Sequence, residues 1–450
     1  MDISDFSEVG DRDEKLRRLV EELLESAAAE LQDVQLPEKQ VWQLQSDEDD
    51  EATFKAVERP DLGQALSEID WISDVEAAAA FRSHLEDEYD REIRYGYLKR
   101  LLIDAFGKTG ERIDSYDSEL DRVYSNVVAD LHGQSKGEYI AILYGLQVEG
   151  DAVQVSDGVE ARSFRAGEVL AEEDAGKPAA LIEAHELFHN SYLRVEYTQN
   201  DVLARMPDKG INLYTVALGL SLGGWIRVPQ FYLKPISYDM HKLGHRFRGE
   251  TASLEAELTE ANSGQVENTL SLLRPFHEPT TREFSHPWSI PYNFKPPVDV
   301  ATCHYGRSIR ALGLPQNSVT SAIMGLESLF VQHTSGTTPS NDVPRYAGFL
   351  IGNTVDGLDP LTVAQKIEEG YELRNQWAHG GHVDREPSPL QSDLWKILRL
   401  AIIIFAWMDS NTSLLDGGLP IEDALVDDQA RDAFYQKLDQ LDVSDYCMVE

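Results

Sequence analysis

The chain predicts an α+β multidomain protein with a helical N-terminal region, a β-rich middle domain and a C-terminal all-α four-helix bundle. Three observations predict it. Apolar residues recur at helical spacing over 12–34, 74–106 and 115–131 and again beyond 318. Strand-like alternation governs the stretch between them, and a run of prolines divides the second texture from the third. The expected layout is therefore a helical region over 1–134, a middle domain over 135–290, a helical domain over 291–415 and an acidic tail or helix over 416–450.

Leu16, Val20, Leu23, Leu24 and Ala28 line one face of an amphipathic helix over 12–34. The stretch 36–60 carries the acidic run Asp47 to Glu51 and little apolar periodicity, so it reads as a linker or mobile loop. Ala78, Phe81, Leu85, Tyr89, Ile93 and Leu98 predict a long helix over 74–106, and a further helix spans 115–131. Tyr139 to Tyr144, Val153 with Val155, Val159 to Phe164, and Leu193 with Val195 and Tyr197 predict strands, with turn chemistry at Glu149-Gly150-Asp151 and Asp157-Gly158. Trp225 to Val228 and Phe231 to Leu233 read as two strands on either side of Pro229. Pro275, Pro279, Pro287, Pro291, Pro296 and Pro297 predict an extended connector, because each fixes φ and removes a donor.

Beyond it, four starts and stripes define the bundle. Ser318 caps a helix bearing Val319, Ile323, Leu326 and Phe330. Asp342 caps a second, with Pro344 in its first turn. Asp359-Pro360 opens a third striped by Val363, Ile367 and Tyr371, and Ser388-Pro389 opens a fourth running through Leu394, Ile397, Ala401, Ile404, Phe405 and Met408.

Charge is the strongest global feature. Forty basic against seventy-nine acidic residues give a net charge of −39, spread along all 450 residues. Such a surface repels itself in dilute buffer and is screened at about 1 M salt, where the Debye length falls to roughly 3 Å. The composition therefore predicts a halophilic protein adapted to a salty cytoplasm. No basic patch of the kind that marks nucleic-acid binding is visible, although counterion release contributes little to such binding in high salt. Two cysteines, Cys303 and Cys447, provide neither a disulfide framework nor a thiolate cluster. The most apolar stretch, Leu398 to Met408 with only Arg399 interrupting it, is about half the ~20 residues that cross a bilayer. With no apolar leader at the start of the chain, the expectation is a soluble, cytoplasmic protein with no membrane partner.

The third predicted C-terminal helix ends in Tyr371-Glu372-Leu373-Arg374-Asn375-Gln376-Trp377-Ala378-His379-Gly380-Gly381. Continuing its stripe places Arg374 on the inward face, where a guanidinium needs a partner or a purpose. His379 falls in the last turn, which the two glycines terminate, and the negative end of the helix dipole there favours an imidazolium. A proton-transferring histidine beside a fixed cation is suited to phosphodiester cleavage: one group moves protons and the other stabilises charge developing on phosphorus.

Arg374, Asn375 and His379, followed by Gly380, resemble the Arg-polar-x-x-x-His motif of the HEPN superfamily. Ala322 to Phe330 resembles the helix of its Apea-like branch that carries a Leu-Glu-Ser-Leu core. The resemblance is confined to roughly residues 300–410. It implies a metal-independent endoribonuclease that uses no cofactor, in which two copies dimerise and paired motifs build one cleft. It also implies attack by the ribose 2′-OH and a role as a toxin or antiviral defence effector, with an antitoxin or defence partner. Catalytic duty would fall to Arg374, Asn375 and His379, with Glu327 pairing with Arg374 across the bundle and Tyr371 in support. Many relatives are inactive and only pair or scaffold, so the alternative is a non-catalytic dimerising protein in which Arg374 and His379 cap the helix.

A second constellation competes. His185-Glu186-Leu187-Phe188-His189 reads as HExxH, in which two histidines at i and i+4 bind zinc and the glutamate activates water. Tyr192 and Val195 stand where a metzincin needs Gly and His, so a third ligand would come from Glu250, Glu255 or Glu257. A zinc hydrolase is thus the alternative enzyme, and a His/Glu-rich surface turn is the plain explanation. His241, His245, Arg246 and Arg248 read as surface residues. Trp225, Tyr232 and Tyr238 read as core aromatic residues rather than base-stacking ones.

Overall fold

The computed structural model describes residues 13–31, 37–46, 52–60, 62, 64, 76–93, 95–107, 117–163, 191–198, 207–234, 244–246, 256–283, 297–311, 314–331, 338–380, 387–412, 414–415 and 421–449. Helix α1 (Glu14–Leu31) buries the expected stripe, and the Asp13 carboxylate caps it by accepting the Leu16 N–H at 2.9 Å. The segment read as a linker is instead an antiparallel hairpin, β1 (Glu38–Ser46) and β2 (Ala52–Pro60), with Val41 opposite Val57 and Leu44 opposite Phe54. The acidic run that suggested a linker falls in its connection, outside the described residues; the β-branched and aromatic residues on either side pair. The long helix expected over 74–106 is two, α2 (Glu76–Tyr89) and α3 (Tyr95–Gly107). Asp90 between them has φ 50°, a left-handed backbone that ends the first helix. With α4 (Asp117–Leu131) these helices bury a core of their own around Leu16, Phe81, Tyr97 and Val123.

The middle of the chain supplies β3 (Lys136–Tyr144), β4 (Leu146–Val148), β5 (Ala152–Ser156), β6 (Val159–Ser163), β7 (Ser191–Thr198), α5 (Pro207–Leu222), β8 (Arg227–Lys234), β9 (Gly244–Arg246), β10 (Ala256–Leu258) and α6 (Glu260–Glu283). Six strands form an antiparallel sheet in the order β5-β6-β7-β3-β8-β9, and β4 pairs in parallel with β10. Pro229 does not divide two strands. It lies within β8, where the register with β3 shifts between Ile142 and Tyr144, and that irregularity accommodates a residue with no N–H to give. Helices α5 and α6 were not expected. Pro275 and Pro279 belong to α6 rather than to a connector, and Val266, Leu270, Leu272, Leu273 and Phe276 are buried and anchor the helix on both sides of Pro275. Pro287, Pro291 and Pro296 lie outside the described residues.

The C-terminal helices begin one earlier than expected, with α7 (Pro297–Arg310), then α8 (Pro315–Phe330), α9 (Pro339–Thr354), α10 (Pro360–Ala378) and α11 (Ser388–Asn411). Ser318 does not cap α8, which opens at Pro315. It is buried, and its hydroxyl accepts the Trp395 indole N–H at 3.1 Å. Asp342 lies in the first turn of α9 and accepts the Thr338 N–H at 2.7 Å, and Pro344 sits further in than its expected first turn. Asp359 caps α10 as expected, accepting the Thr362 N–H at 2.8 Å. In α11 every residue from Ile397 to Met408 is buried, so this helix has no solvent-facing side over that length.

The stretch expected as an acidic tail or helix folds as α12 (Ile421–Val426), α13 (Asp428–Leu438) and a terminal turn at Val443–Asp445. Side chains of α6 hold that end by its carbonyls: Gln265 donates to Ser444, Asn268 to Asp445 and Thr269 to Tyr446, at 2.7, 2.9 and 2.7 Å. Among the described residues, buried apolar side chains from Tyr139 to Cys447 form one contiguous cluster, so the sheet and the C-terminal helices share a core. The protein is thus a mixed α/β structure with an antiparallel sheet and a C-terminal helical region.

Close helix contacts in this region are made by glycine. A Cβ on Gly352 of α9 would come within 2.5 Å of Pro360 Cα and 2.6 Å of Pro360 N, backbone atoms that cannot swing aside. A Cβ on Gly264 of α6 would meet nothing within 4 Å. Urea unfolding in molar KCl is therefore expected to show Gly352→Ala destabilised by about 1–3 kcal/mol and Gly264→Ala stabilised by about 0.5–1 kcal/mol.

Candidate functional site

Helix α10 packs through Val363, Ile367, Gly370, Tyr371 and Leu373, and Arg374 stands at the edge of that stripe. Its Nη1 donates to Glu327 Oε1 on α8 at 2.8 Å, and the Tyr371 hydroxyl donates to the same oxygen at 3.1 Å. The guanidinium carbon lies 6.0 Å from the centre of the Tyr371 ring, within reach of a cation–π contact. Burial first, then the Glu327 charge and the bond to it, push the Tyr371 hydroxyl above its ordinary range, so it stays protonated and remains a donor. Glu327 and Arg374 side chains are 24% and 32% exposed, which leaves the pair partly screened and the guanidinium open to a ligand from solvent.

Two glycines set the distance between the helices that carry this pair. A Cβ on Gly325, two residues before Glu327, would come within 2.7 Å of Leu398 Cδ2. A Cβ on Gly370, four residues before Arg374, would lie 2.9 Å from Ile323 Cδ1 and 3.1 Å from Leu394 Cδ1. Leu394 and Leu398, one turn apart on α11, thus press into the two helices at their smallest residues. Sequence reading missed Gly325, Gly370 and this pair of leucines. The signal was present as glycine within two otherwise apolar helical stripes.

His379 is the C-cap residue of α10, with its N–H bonded to the Asn375 carbonyl at 3.1 Å, and Gly380 follows at φ 71° as the left-handed terminator. Asn375 and His379 are both exposed. The structure therefore brings Glu327, Tyr371 and Arg374 into one bonded group and sets Asn375 and His379 on the adjoining exposed turn. Among the described residues no hydrogen bond joins the His379 ring to that group. Chemically, the arrangement offers an oriented cation and, one turn away, an imidazole open to solvent.

The zinc alternative, His185, Glu186 and His189, lies outside the described residues, as do Glu250 and Glu255; Glu257 is exposed on β10. Among the described residues no group of three or more His, Cys, Asp or Glu could hold a metal ion. His245 and Arg246 fall on β9, while His241, Arg248 and Tyr238 lie outside the described residues. Trp225 packs against the core, with Gly306 beneath its ring and the Arg310 guanidinium 5.6 Å from the ring centre. Among the described residues no helix is long and apolar enough to cross a membrane.

Compared with known proteins, the chain matches no family model, no curated protein and no solved structure.

A double-mutant cycle on Glu327→Gln and Arg374→Gln, read by urea unfolding, is expected to give a coupling energy of roughly 0.5–2 kcal/mol, as for a partly buried charged hydrogen bond. Additive single effects would mean the two side chains do not interact in solution.

Proposed function

We propose that the C-terminal helices form a HEPN-like helical bundle and that the chain is a metal-independent endoribonuclease whose cleft is completed by a second copy. The observation that carries this reading is the Arg374 guanidinium, anchored to Glu327 at 2.8 Å and lying within two turns of His379 on the same helix. A cation oriented by a carboxylate and a tyrosine hydroxyl is preorganised for the non-bridging oxygens of a phosphodiester, where negative charge grows in the transition state. His379, exposed at the helix end, exchanges protons with the reacting oxygens. In the reaction the ribose 2′-OH loses its proton and attacks phosphorus. The bond to the 5′ oxygen breaks and that oxygen takes up a proton, leaving a 2′,3′-cyclic phosphate and a free 5′-OH. Asn375, on the same exposed turn, would contact the RNA backbone.

The net charge of −39 works against RNA binding in dilute buffer and much less in molar salt, so the reading goes with a halophilic source and with activity in concentrated KCl. A role in defence or as a toxin, held in check by a partner, follows from the same family likeness. A second reading is a dimerising scaffold of the same fold, favoured by the Glu327 contact itself: it satisfies Arg374 as a structural role requires.

Cleavage of RNA in molar KCl separates the two. The ribonuclease reading expects cyclic-phosphate products from the wild type with or without EDTA, and a loss of about 100-fold or more in Arg374→Ala and in His379→Ala, both still folded. Equal activity in wild type and Arg374→Ala, or none in the wild type, would contradict it. A folded but inactive dimer would leave the scaffold.

A further inference from the structure

Arg399 lies midway along α11 and is 3% exposed. Its Nη2 donates to the Met448 carbonyl at 2.6 Å, which ties the end of the described chain to the bundle. Its Nη1 is buried and has no hydrogen-bond partner. The backbone comes very close on that side: Gly223, at φ 75°, is placed so that a Cβ would stand 2.5 Å from Nη1. Arg399 acts on the Tyr305 hydroxyl and on the Cys447 thiol, and Lys396, one turn earlier, acts on Cys447 as well. Burial pushes the thiol up to about 11 and the hydroxyl up to about 12, so both are neutral at physiological pH.

Among the described residues, then, a buried guanidinium lies near the neutral Tyr305 hydroxyl and Cys447 thiol, with no carboxylate paired to it. That runs against the composition of a chain in which acids outnumber bases by seventy-nine to forty. A buried charge left without a counterion is costly, and a buried donor left without an acceptor adds to the cost.

We propose that Arg399 Nη1 binds a small monovalent anion of the size of chloride, enclosed between α11, the turn at Gly223 and the terminal segment at Cys447–Met448. The guanidinium supplies one donor. The Tyr305 hydroxyl supplies a second, since its bond to the Gly224 carbonyl is long at 3.3 Å and its proton is free to turn. The closed surroundings select a compact ion over phosphate or a carboxylate-bearing metabolite, and one buried guanidinium calls for one negative charge. Bound there, the anion stabilises three things together: α11, the α5–β8 turn, and the terminal segment that α6 holds by its carbonyls. It also gives the protein a specific response to the anion of its salt, distinct from general screening of its acidic surface. This inference does not depend on RNA cleavage.

Bromide serves as the probe, because it replaces chloride and scatters anomalously. Crystals of the full chain exchanged into potassium bromide are expected to show an anomalous peak within hydrogen-bond distance of Arg399 Nη1. Thermal unfolding at fixed potassium concentration and ionic strength, with gluconate replaced stepwise by chloride, is expected to raise Tm in the wild type, since a ligand of the folded state alone stabilises it. That rise should be lost in Arg399→Gln and kept in Arg310→Gln, which changes a guanidinium stacked on Trp225. If Arg399→Gln does not fold, the bromide peak in the wild type decides. Peaks confined to the surface, an adventitious ion only, would overturn the proposal, as would the same chloride-dependent rise in Arg399→Gln.

Discussion

The constraint on which the structure depends is a helix with nothing polar to show. From Leu398 to Met408 every side chain of α11 is buried, so every direction around its axis must be covered by protein. Helices α7, α8, α9 and α10 surround it, α6 brings the sheet against it, and the terminal segment closes over Arg399. The sheet and the helical region consequently share one core. The same helix reaches the candidate site by packing alone. Leu394 and Leu398 fit where Gly370 and Gly325 leave room, and that close approach puts Arg374 of α10 opposite Glu327 of α8. A larger residue at either glycine would move a helix, and with it one end of the ion pair.

What the sequence made legible follows from how local the signal was. Asp359-Pro360 combines a cap with a proline at the first helical position, and α10 begins there. The apolar run Tyr139–Tyr144 and the alternation in Leu193–Tyr197 marked β3 and β7, neighbours in the sheet. Proline misled in both directions. At 229 it suggested a break in what is one strand with an irregular register, and at 275 it suggested a connector in what is a helix sustained by Leu272, Leu273 and Phe276. The acidic run at 47–51 hid a hairpin, because it belongs to the connection and the paired residues lie on either side. Helix α5 was illegible for a different reason. Leu213 to Leu222 is apolar on most sides, so neither a helical nor a strand period stands out.

At the site, the sequence carried the stripe that turned Arg374 inward and the glycines that end α10, both local features. It did not carry the distance between α8 and α10, where Gly325 and Gly370 meet Leu398 and Leu394 of α11 and Ile323 of α8. Composition also concealed Arg399. A charge of −39 averages over a molecule whose interior holds a buried Arg with no carboxylate paired to it among the described residues, and the two scales make different demands on salt. The acidic surface needs screening by cations at any exposed carboxylate, whereas the interior needs one counterion in one place.

The central claim is that the fixed guanidinium of Arg374 and the exposed imidazole of His379 receive the same phosphodiester. The most direct measurement is the NMR signal of the His379 ring while an RNA oligonucleotide bearing 2′-O-methyl groups, which binds but cannot be cleaved, is added in molar KCl. The account predicts a shift of that signal in the wild type and none in a folded Arg374→Ala variant. A His379 resonance that stays in place in the wild type at saturating RNA, or that moves equally without Arg374, would contradict it.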